Sequence, residues 1–551
     1  MKQNNIVNDT VYGHIPYSKL EEKFLKSKII NRLLFVSQNA LAYFAFPSIS
    51  TKRYIHSLGT MHVASYMFKN SLINSSERSR KNFLISAKIE IENIILDNHL
   101  NIDLNHIDIA DKTLLGFSFS LDKKLDIIYL VLLQALRLAG LLHDVGHLPF
   151  SHQTEYALKR LYLSMKKVKV ANKEQKNFLK FYENITSNGK LVLHESIGYA
   201  YLEMLFQYEL GENKEVNREI VELYYLLVKN ILNNVEKKNF EYTTLHDYVA
   251  SSVDADRIDY INRDLLASGY ISTSADFLRI TREAILVEEN QKFKLSFMSS
   301  SLADIEHLLE SRFNLYKKVF FTHNISRLDT LLEKIITYLA KEYLSTSPSD
   351  KKVYESISMM WKFSKEKNSV KQLDIISQLD ENWLISLFKK EYFKIKYQLS
   401  LTYQERYYLA AFEDILFGKY LFKAKWKNLS EFYKLLELSE EERYTFREKF
   451  GKVSQKKEKR LEKLLNVFIN KHNQNSDFFA YSIVSLSIGI DKNFLLYDGE
   501  KSIKIDEVST LRKRLITSRS NTVPFYIFTN KKSLTKGMKR ELKEMLFKVF
   551  L

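Results

Sequence analysis

The stretch Leu141-Leu-His-Asp-Val-Gly-His-Leu-Pro-Phe-Ser-His152 gathers four side chains able to bind a metal or move a proton: His143, Asp144, His147 and His152. The adjacent His143–Asp144 pair joins a neutral nitrogen donor to a hard anionic oxygen. That mixture suits a divalent cation that must also accept phosphate oxygens. Two distant segments offer matching groups, Arg53-Tyr-Ile-His56-Ser-Leu-Gly59 and Val253-Asp-Ala-Asp256-Arg-Ile-Asp-Tyr260. His56, His143, Asp144 and Asp256 are therefore the expected ligands of one divalent ion. Four protein ligands leave positions open for water and a phosphate oxygen. The residue types do not select among Mn, Mg, Fe, Ni and Zn.

Three further histidines lie outside that ligand set. His147 follows Asp144 by three residues and would share a helical face with it. His152 comes after Pro149-Phe150-Ser151, which should turn the chain, and His194 opens a helix before Glu195. Imidazoles titrate near neutrality, so these are candidate proton donors to a leaving oxygen. Arg53 and Arg257 flank ligands in sequence and are candidate phosphate clamps, since guanidinium forks onto phosphate oxygens. The competing reading of Arg257 is a structural salt bridge to Asp254, Asp259 or Glu283.

The elements that must position these groups are mostly helical. An apolar helix is expected over 29–35, another over 56–70, and a buried one over 125–142 that delivers His143 and Asp144. Residues 214–235 and 243–267 read as helices by periodicity, and Leu302 to Tyr343 as one long helix or two. Between 72 and 122, the alternation in Ala87-Lys-Ile-Glu-Ile-Glu-Asn-Ile-Ile95 suggests inserted strands or a hairpin. Beyond about residue 345 the texture changes. Ser345 to Asp350 reads as a linker, 351–470 as amphipathic helices, and Tyr481–Ile488, Phe494–Tyr497, Lys501–Ile505 and Phe525–Phe528 as short strands. The expectation is a mostly α protein: a helical core over 1–345 with a β-rich insertion at about 72–122, a helical region over 346–475, and a small α+β cap over 476–551.

Composition narrows the class. The chain has 551 residues, 45% hydrophobic and 27% charged, enough for a large core. It has no cysteine, which excludes disulfides and Cys-zinc sites and fits a reducing, cytoplasmic setting. Only 14 Gly and 5 Pro argue for few tight turns. The polar opening segment shows no signal peptide. The apolar run 127–142 carries Gln134 and Arg137 and reads as a core helix rather than a membrane span. A net charge of +17 favours polyanionic ligands, nucleotides or nucleic acid. An AT-rich genome would inflate lysine equally, so charge alone does not choose.

The residues over about 9–330 resemble the SAM-and-HD-domain type deoxynucleoside triphosphate (dNTP) triphosphohydrolases, in a branch without the SAM domain. The resemblance rests on Gly13-His14-Ile15, Arg32-Leu33, Gln38, Tyr43, Phe46-Pro47 and Arg53-x-x-His56-Ser-Leu-Gly. It continues through the His143-Asp144 signature, Asp254-x-Asp256-Arg257-x-Asp259-Tyr260-x-x-Arg263-Asp264 and Tyr316-Lys-Lys-Val319. It implies an HD-domain fold and metal-dependent hydrolysis of a dNTP to deoxynucleoside and inorganic triphosphate. Such an activity controls nucleotide pools, in housekeeping or antiviral defence, and homo-oligomers are common. His152 then matches the acid at the 5′ oxygen, and His194 with Glu155 the supporting dyad. His147 and Arg53 match α-phosphate contacts, and Arg257 a β/γ-phosphate contact. Tyr260 and Asp264 meet the sugar, Gln38 lies near the 3′-hydroxyl, and Tyr316 stacks on the base. Three departures stand out. Glu155 replaces an Asp, Arg257 replaces a Lys, and Asn39 replaces a Leu near the sugar's 2′ position, where a polar group could accept a ribose hydroxyl. At the positions that read an activating guanine nucleotide in regulated members stand Lys26, Asn31 and Leu34, so that site is not expected in its usual form. A regulatory nucleotide or protein partner stays open. The alternatives are another HD phosphohydrolase, acting on monophosphates, alarmones or cyclic nucleotides, or a nucleotide-sensing or nucleic-acid-binding module.

Overall fold

The computed structural model describes residues 5–104, 123–210, 217–233, 240–270, 278–346, 356–363, 369–450 and 454–550. The fold is mostly helical, and its buried apolar side chains form one continuous cluster from Ile15 to Phe550.

The helix Lys123–Leu142 is the central strut. Ile128, Val131, Leu132, Ala135, Leu136, Leu138, Ala139, Leu141 and Leu142 are almost fully buried. It is the one helix among the described residues long and apolar enough to cross a membrane, and 78% of its apolar window is enclosed by protein. That matches a core helix. Arg137 is tolerated inside because it forks onto Glu21, with Nε and Nη2 2.6 and 2.8 Å from the carboxylate oxygens. Against this strut packs the helix Arg53–Asn74, which carries His56.

The inserted strands expected after residue 72 are replaced by a helix, Glu77–Asp97. Its buried residues are Phe83, Leu84, Ala87, Ile91 and Ile95. They repeat every four residues along one stripe, whereas Ile85 and Ile89 face solvent. The Ile-Glu alternation follows period two over only a few residues. The four-residue spacing decides the fold, because that face packs on the central helix. The rest of the expected insertion, 105–122, lies outside the described residues.

Smaller differences have local causes. Residues 28–35 form a four-residue α-turn and then a 3₁₀ turn rather than one helix. Arg32 sits buried there, donating to the carbonyls of Val145, His147 and Leu379. The turn signals near the N-terminus belong to a hairpin, Asn5–Asp9 with Gly13–Tyr17. The helical stretch expected over 243–267 divides into Phe240–Asp247 and Ala255–Ser268. Asp254 caps the second, accepting from the backbone N–H of Arg257 at 2.7 Å. Leu302 to Thr346 is two helices joined by a π-helical turn at Tyr316–Phe320.

Toward the C-terminus, short strands form at the four expected stretches, the first ending at Ile483 rather than Ile488, and a further one, Lys423–Ala424, lies in the stretch expected to be helical. Phe525–Thr529 is the centre of an antiparallel three-stranded sheet, flanked by Phe479–Ile483 and Lys423–Ala424. A hairpin, Leu495–Tyr497 with Ser502–Lys504, touches the core hairpin Ala284–Glu289/Lys292–Phe297 through a bridge between Tyr497 and Met298. The C-terminal region thus lies directly on the core.

Candidate metal centre and active site

Two helices, Arg53–Asn74 and Ala255–Ser268, and the turn after Leu142 bring the expected ligands together. His56 is fully buried, with Nε2 3.0 Å from Asp256 Oδ1 and 3.4 Å from Asp144 Oδ2. His143 Nε2 lies 3.4 Å from Asp144 Oδ1 and 3.6 Å from Asp256 Oδ1. The donor atoms of His56, His143 and Asp256 all fall within 4.8 Å of one another. Close packing makes this convergence feasible. A Cβ on Gly59 would collide with the carboxylate of Asp259, so only glycine lets the Ala255–Ser268 helix approach the His56 helix.

The ring orientations suit a cation. His143 Nδ1 is tied to the Gly140 carbonyl at 2.8 Å, and His56 Nδ1 to Asp259 Oδ2 at 2.7 Å. Both Nε2 atoms are buried without a hydrogen-bond partner and face the Asp144 and Asp256 carboxylates. Two imidazole lone pairs and two carboxylates at one point are the donor set of a divalent metal. Burial opposes protonation of His56, but the carboxylates of Asp256 and Asp259 beside its two ring nitrogens outweigh it and raise its pKa to about 10. A bound cation would take over the positive charge that those carboxylates demand. Asp144 also pairs with the buried guanidinium of Arg53. Burial works against its charge, yet Arg53, His143 and His147 together hold it well below the usual carboxylate range.

The turn after Leu142 is not helical, yet His147 Nε2 still comes within 3.3 Å of Asp144 Oδ1. Burial and the neighbouring Arg53 and His194 depress the pKa of His147 strongly, keeping it neutral. Phe150 and Ser151 both take positive φ, 60° and 54°, turning the chain so that His152 starts a new helix. His152, half exposed, points Nδ1 at Glu155 Oε2 across 3.0 Å. The same oxygen lies 3.0 Å from His194 Nδ1, and Glu155 Oε1 accepts from the His194 backbone N–H. His147 and His194 stack with ring centroids 4.0 Å apart. Gly146 makes that stack possible, because any Cβ there would overlap the His194 carbonyl and the Gly198 backbone.

These groups line a cavity of about 440 Å³. Gln38, Asn39, Arg53, His143, Asp144, His147, His152, His194, Asp256, Arg257, Tyr260 and Tyr316 all reach its wall. His56 sits behind the wall, Glu155 supports His152 and His194 from beneath, and Asp264 is buried behind Asn39, which donates to it at 2.8 Å. Burial raises the Asp264 carboxyl to about 7. Arg257 does not choose between its two readings: it faces the cavity while Nε stays 3.8 Å from Asp254.

Two residues in this site had no role assigned from the sequence. Asp259 orients His56, and the need of a metal-binding imidazole for such a partner was the signal. Arg312 lies one helical turn before Tyr316. Its guanidinium sits over the Tyr316 ring, 4.7 Å from the centroid, and Nε donates to Tyr260 Oη at 2.8 Å. That i, i+4 spacing was legible.

A family model described as "HD domain" matches residues 120–223, which hold His143, Asp144, His147, His152, Glu155 and His194. The chain is an HD-domain protein. Relatives include the Deoxynucleoside triphosphate triphosphohydrolase SAMHD1 homolog of Dictyostelium discoideum, 23% identical over 59% of this chain and 47% of that protein. Human Deoxynucleoside triphosphate triphosphohydrolase SAMHD1 is 22% identical over 59% of this chain and 43% of its own length. An uncharacterized protein of Methanocaldococcus jannaschii is 21% identical over 60% of this chain and 49% of its own. This HD-domain chain is thus dNTPase-like in sequence, and it spans about half the length of these curated relatives. Among solved structures, a phosphohydrolase of Bacteroides thetaiotaomicron superposes with a TM-score of 0.56 at 18% identity, covering 95% of this chain and 99% of that one. A hypothetical protein of Aquifex aeolicus gives 0.52 at 18% identity, covering 98% and 100%. At these identities the likeness concerns the fold, and here it extends through the C-terminal region of this HD-domain chain.

Proposed function

We propose that this HD-domain protein is a metal-dependent phosphohydrolase that cleaves dNTPs to deoxynucleoside and inorganic triphosphate. The observation that carries this reading is one cavity shared by three groups. These are the His56/His143/Asp144/Asp256 cluster, the His152–Glu155–His194 relay, and the Arg312–Tyr316–Tyr260 wall. When bound, a divalent cation supplies Lewis acidity and lowers the pKa of a coordinated water.

The remaining work falls to side chains. Cleavage between the α-phosphorus and the 5′ oxygen leaves an alkoxide that needs a proton. His152 is the donor placed for it, with Nδ1 held by Glu155 and Nε2 left for the substrate. Glu155 binds both imidazoles with one oxygen, and its carboxylate orients His152 and favours its protonated form until Nε2 gives the proton to the alkoxide. Neutral His147 and the cation Arg53 are set to meet the α-phosphate, and Arg257 the outer phosphates. Tyr316, backed by Arg312, offers an aromatic face for a base. Gln38, Tyr260 and the Asn39–Asp264 pair are the groups for the sugar. The ion is Mn, Mg, Fe, Ni or Zn, and assembly as a homo-oligomer belongs to the same reading.

Incubation of the purified protein with each dNTP and Mn or Mg, followed by chromatography, tests this. Release of intact triphosphate is expected. Orthophosphate or pyrophosphate as the sole inorganic product assigns the site to a different phosphoester hydrolase.

A further inference from the structure

The C-terminal region reaches two arginines that line the cavity through Gly489. Its carbonyl accepts from Arg257 Nη1 at 2.5 Å, and that same nitrogen donates to Ser252 O at 2.9 Å. On its other side Gly489 faces Arg312. A Cβ built there would stand 2.8 Å from the Arg312 Cζ and still closer to Nη1. Both arginines line the cavity. The segment around Gly489 is itself anchored. Asp491 N–H donates to Ser252 Oγ at 3.0 Å, and Arg512 Nη1 donates to Ile490 O at 2.9 Å. Gly489 takes φ +79°, a region that L side chains rarely adopt.

We propose that Gly489 is a positioning residue which makes the C-terminal region part of the phosphate-binding end of the cavity. Its carbonyl holds Arg257 and its missing side chain makes room for Arg312. The physical argument is steric and electrostatic. Two guanidiniums side by side repel, and each needs a fixed partner to stay near the other. Arg312 has Tyr260 Oη and the Tyr316 ring, while Arg257 has the carbonyls of Ser252 and Gly489. The pair so held presents the fork geometry that suits a polyphosphate chain. A Cβ at 489 meets the far end of a flexible side chain, so the guanidinium gives way before the backbone does. The steric cost therefore appears in anion binding, on top of the backbone strain that any L side chain at this φ carries. This rests on the phosphohydrolase reading, and it adds that residues beyond the HD core set affinity for the phosphates.

Inorganic tripolyphosphate is the probe, its dissociation constant measured calorimetrically on the full chain with Mg. Gly489→Ala should weaken binding by about tenfold or more, as displaced contacts of this kind do. It should raise the KM for dNTP more than it lowers kcat. Gly489→Asn, which tolerates positive φ but carries the same Cβ, should lose as much. Gly499→Ala is the control for backbone strain alone, having φ +107° with nothing within 4 Å, and should bind as the natural protein does. In an Arg312→Ala background, Gly489→Ala should cost nothing further. Equal binding by Gly489→Ala and Gly499→Ala overturns the proposal. So does an undiminished loss in the Arg312→Ala background, or a natural protein that binds tripolyphosphate no better than Arg312→Ala. Intact coupling in a protein that releases no triphosphate from any dNTP sinks the substrate assignment and leaves the positioning role standing.

Discussion

Asn39 Nδ2 donates to Asp264 Oδ1 across 2.8 Å, linking the turn after Gln38 to the helix that carries Asp256. The other oxygen of Asp264 is buried without a partner, and burial lifts its carboxyl to about 7. The polar group at 39 is therefore engaged by a neighbouring carboxyl and also lines the cavity where a sugar would sit.

Replacing Asn39 by Leu removes the donor and leaves a second unsatisfied buried oxygen. A stability loss of about 1–3 kcal/mol is expected, read as a lower midpoint in chemical denaturation. It also removes a group able to meet a 2′-hydroxyl. The ratio of kcat/KM for a deoxyribonucleotide over its ribonucleotide should rise. An unchanged ratio would show that Asn39 serves only to hold Asp264.

His143→Ala combined with Asp144→Ala deletes one imidazole and the carboxylate between both imidazoles. Turnover should fall to background and divalent-metal binding should vanish, while circular dichroism stays helical. Removing metal from the natural protein with a chelator should give the same loss, reversed by added Mn or Mg. Turnover that survives both treatments would place the chemistry elsewhere.

Asp259→Asn leaves all four expected ligands intact and weakens the partner that orients His56. Affinity for the divalent ion should drop about 10- to 100-fold, measured by metal titration, and saturating metal should restore most activity. Arg263 also leans on Asp259, with Nε 2.8 Å from Oδ2, so some thermal destabilisation should accompany the change.

Glu155 is the pH-sensitive element of the relay. Burial opposes its charge, but hydrogen bonds from His152 and His194 hold its pKa below the ordinary value of 4.5. A carboxyl with a depressed pKa in the folded state stabilises the fold above its unfolded value and loses that contribution as pH falls through the folded one. The natural protein should therefore lose stability below about pH 4.5 more steeply than Glu155→Gln. The same variant should lower kcat by about 10²- to 10⁴-fold, the range of general acid–base assistance. Matching acid-denaturation profiles for the two proteins would remove Glu155 from the relay.

The metal-binding chemistry was legible because it is written in residue types. A His-Asp dipeptide at the end of an apolar run, with a His and an Asp in distant segments, is rare enough to stand out. The structure brings all four side chains to one place. The helical class was equally plain from scarce glycine and proline and from the buried run ending at Leu142. Tertiary structure alone decided three things. It turned Ala87–Ile95 into a helix, since a four-residue stripe found a partner in the central helix while local alternation had none. It set Asn39 against Asp264, a contact between residues with no local relation in sequence. It brought Gly489 onto Arg257 and Arg312, a contact that no motif encodes. Spacing along a chain reports chemistry and local periodicity, whereas the approach of distant backbones depends on how whole helices pack, and only the folded core fixes that.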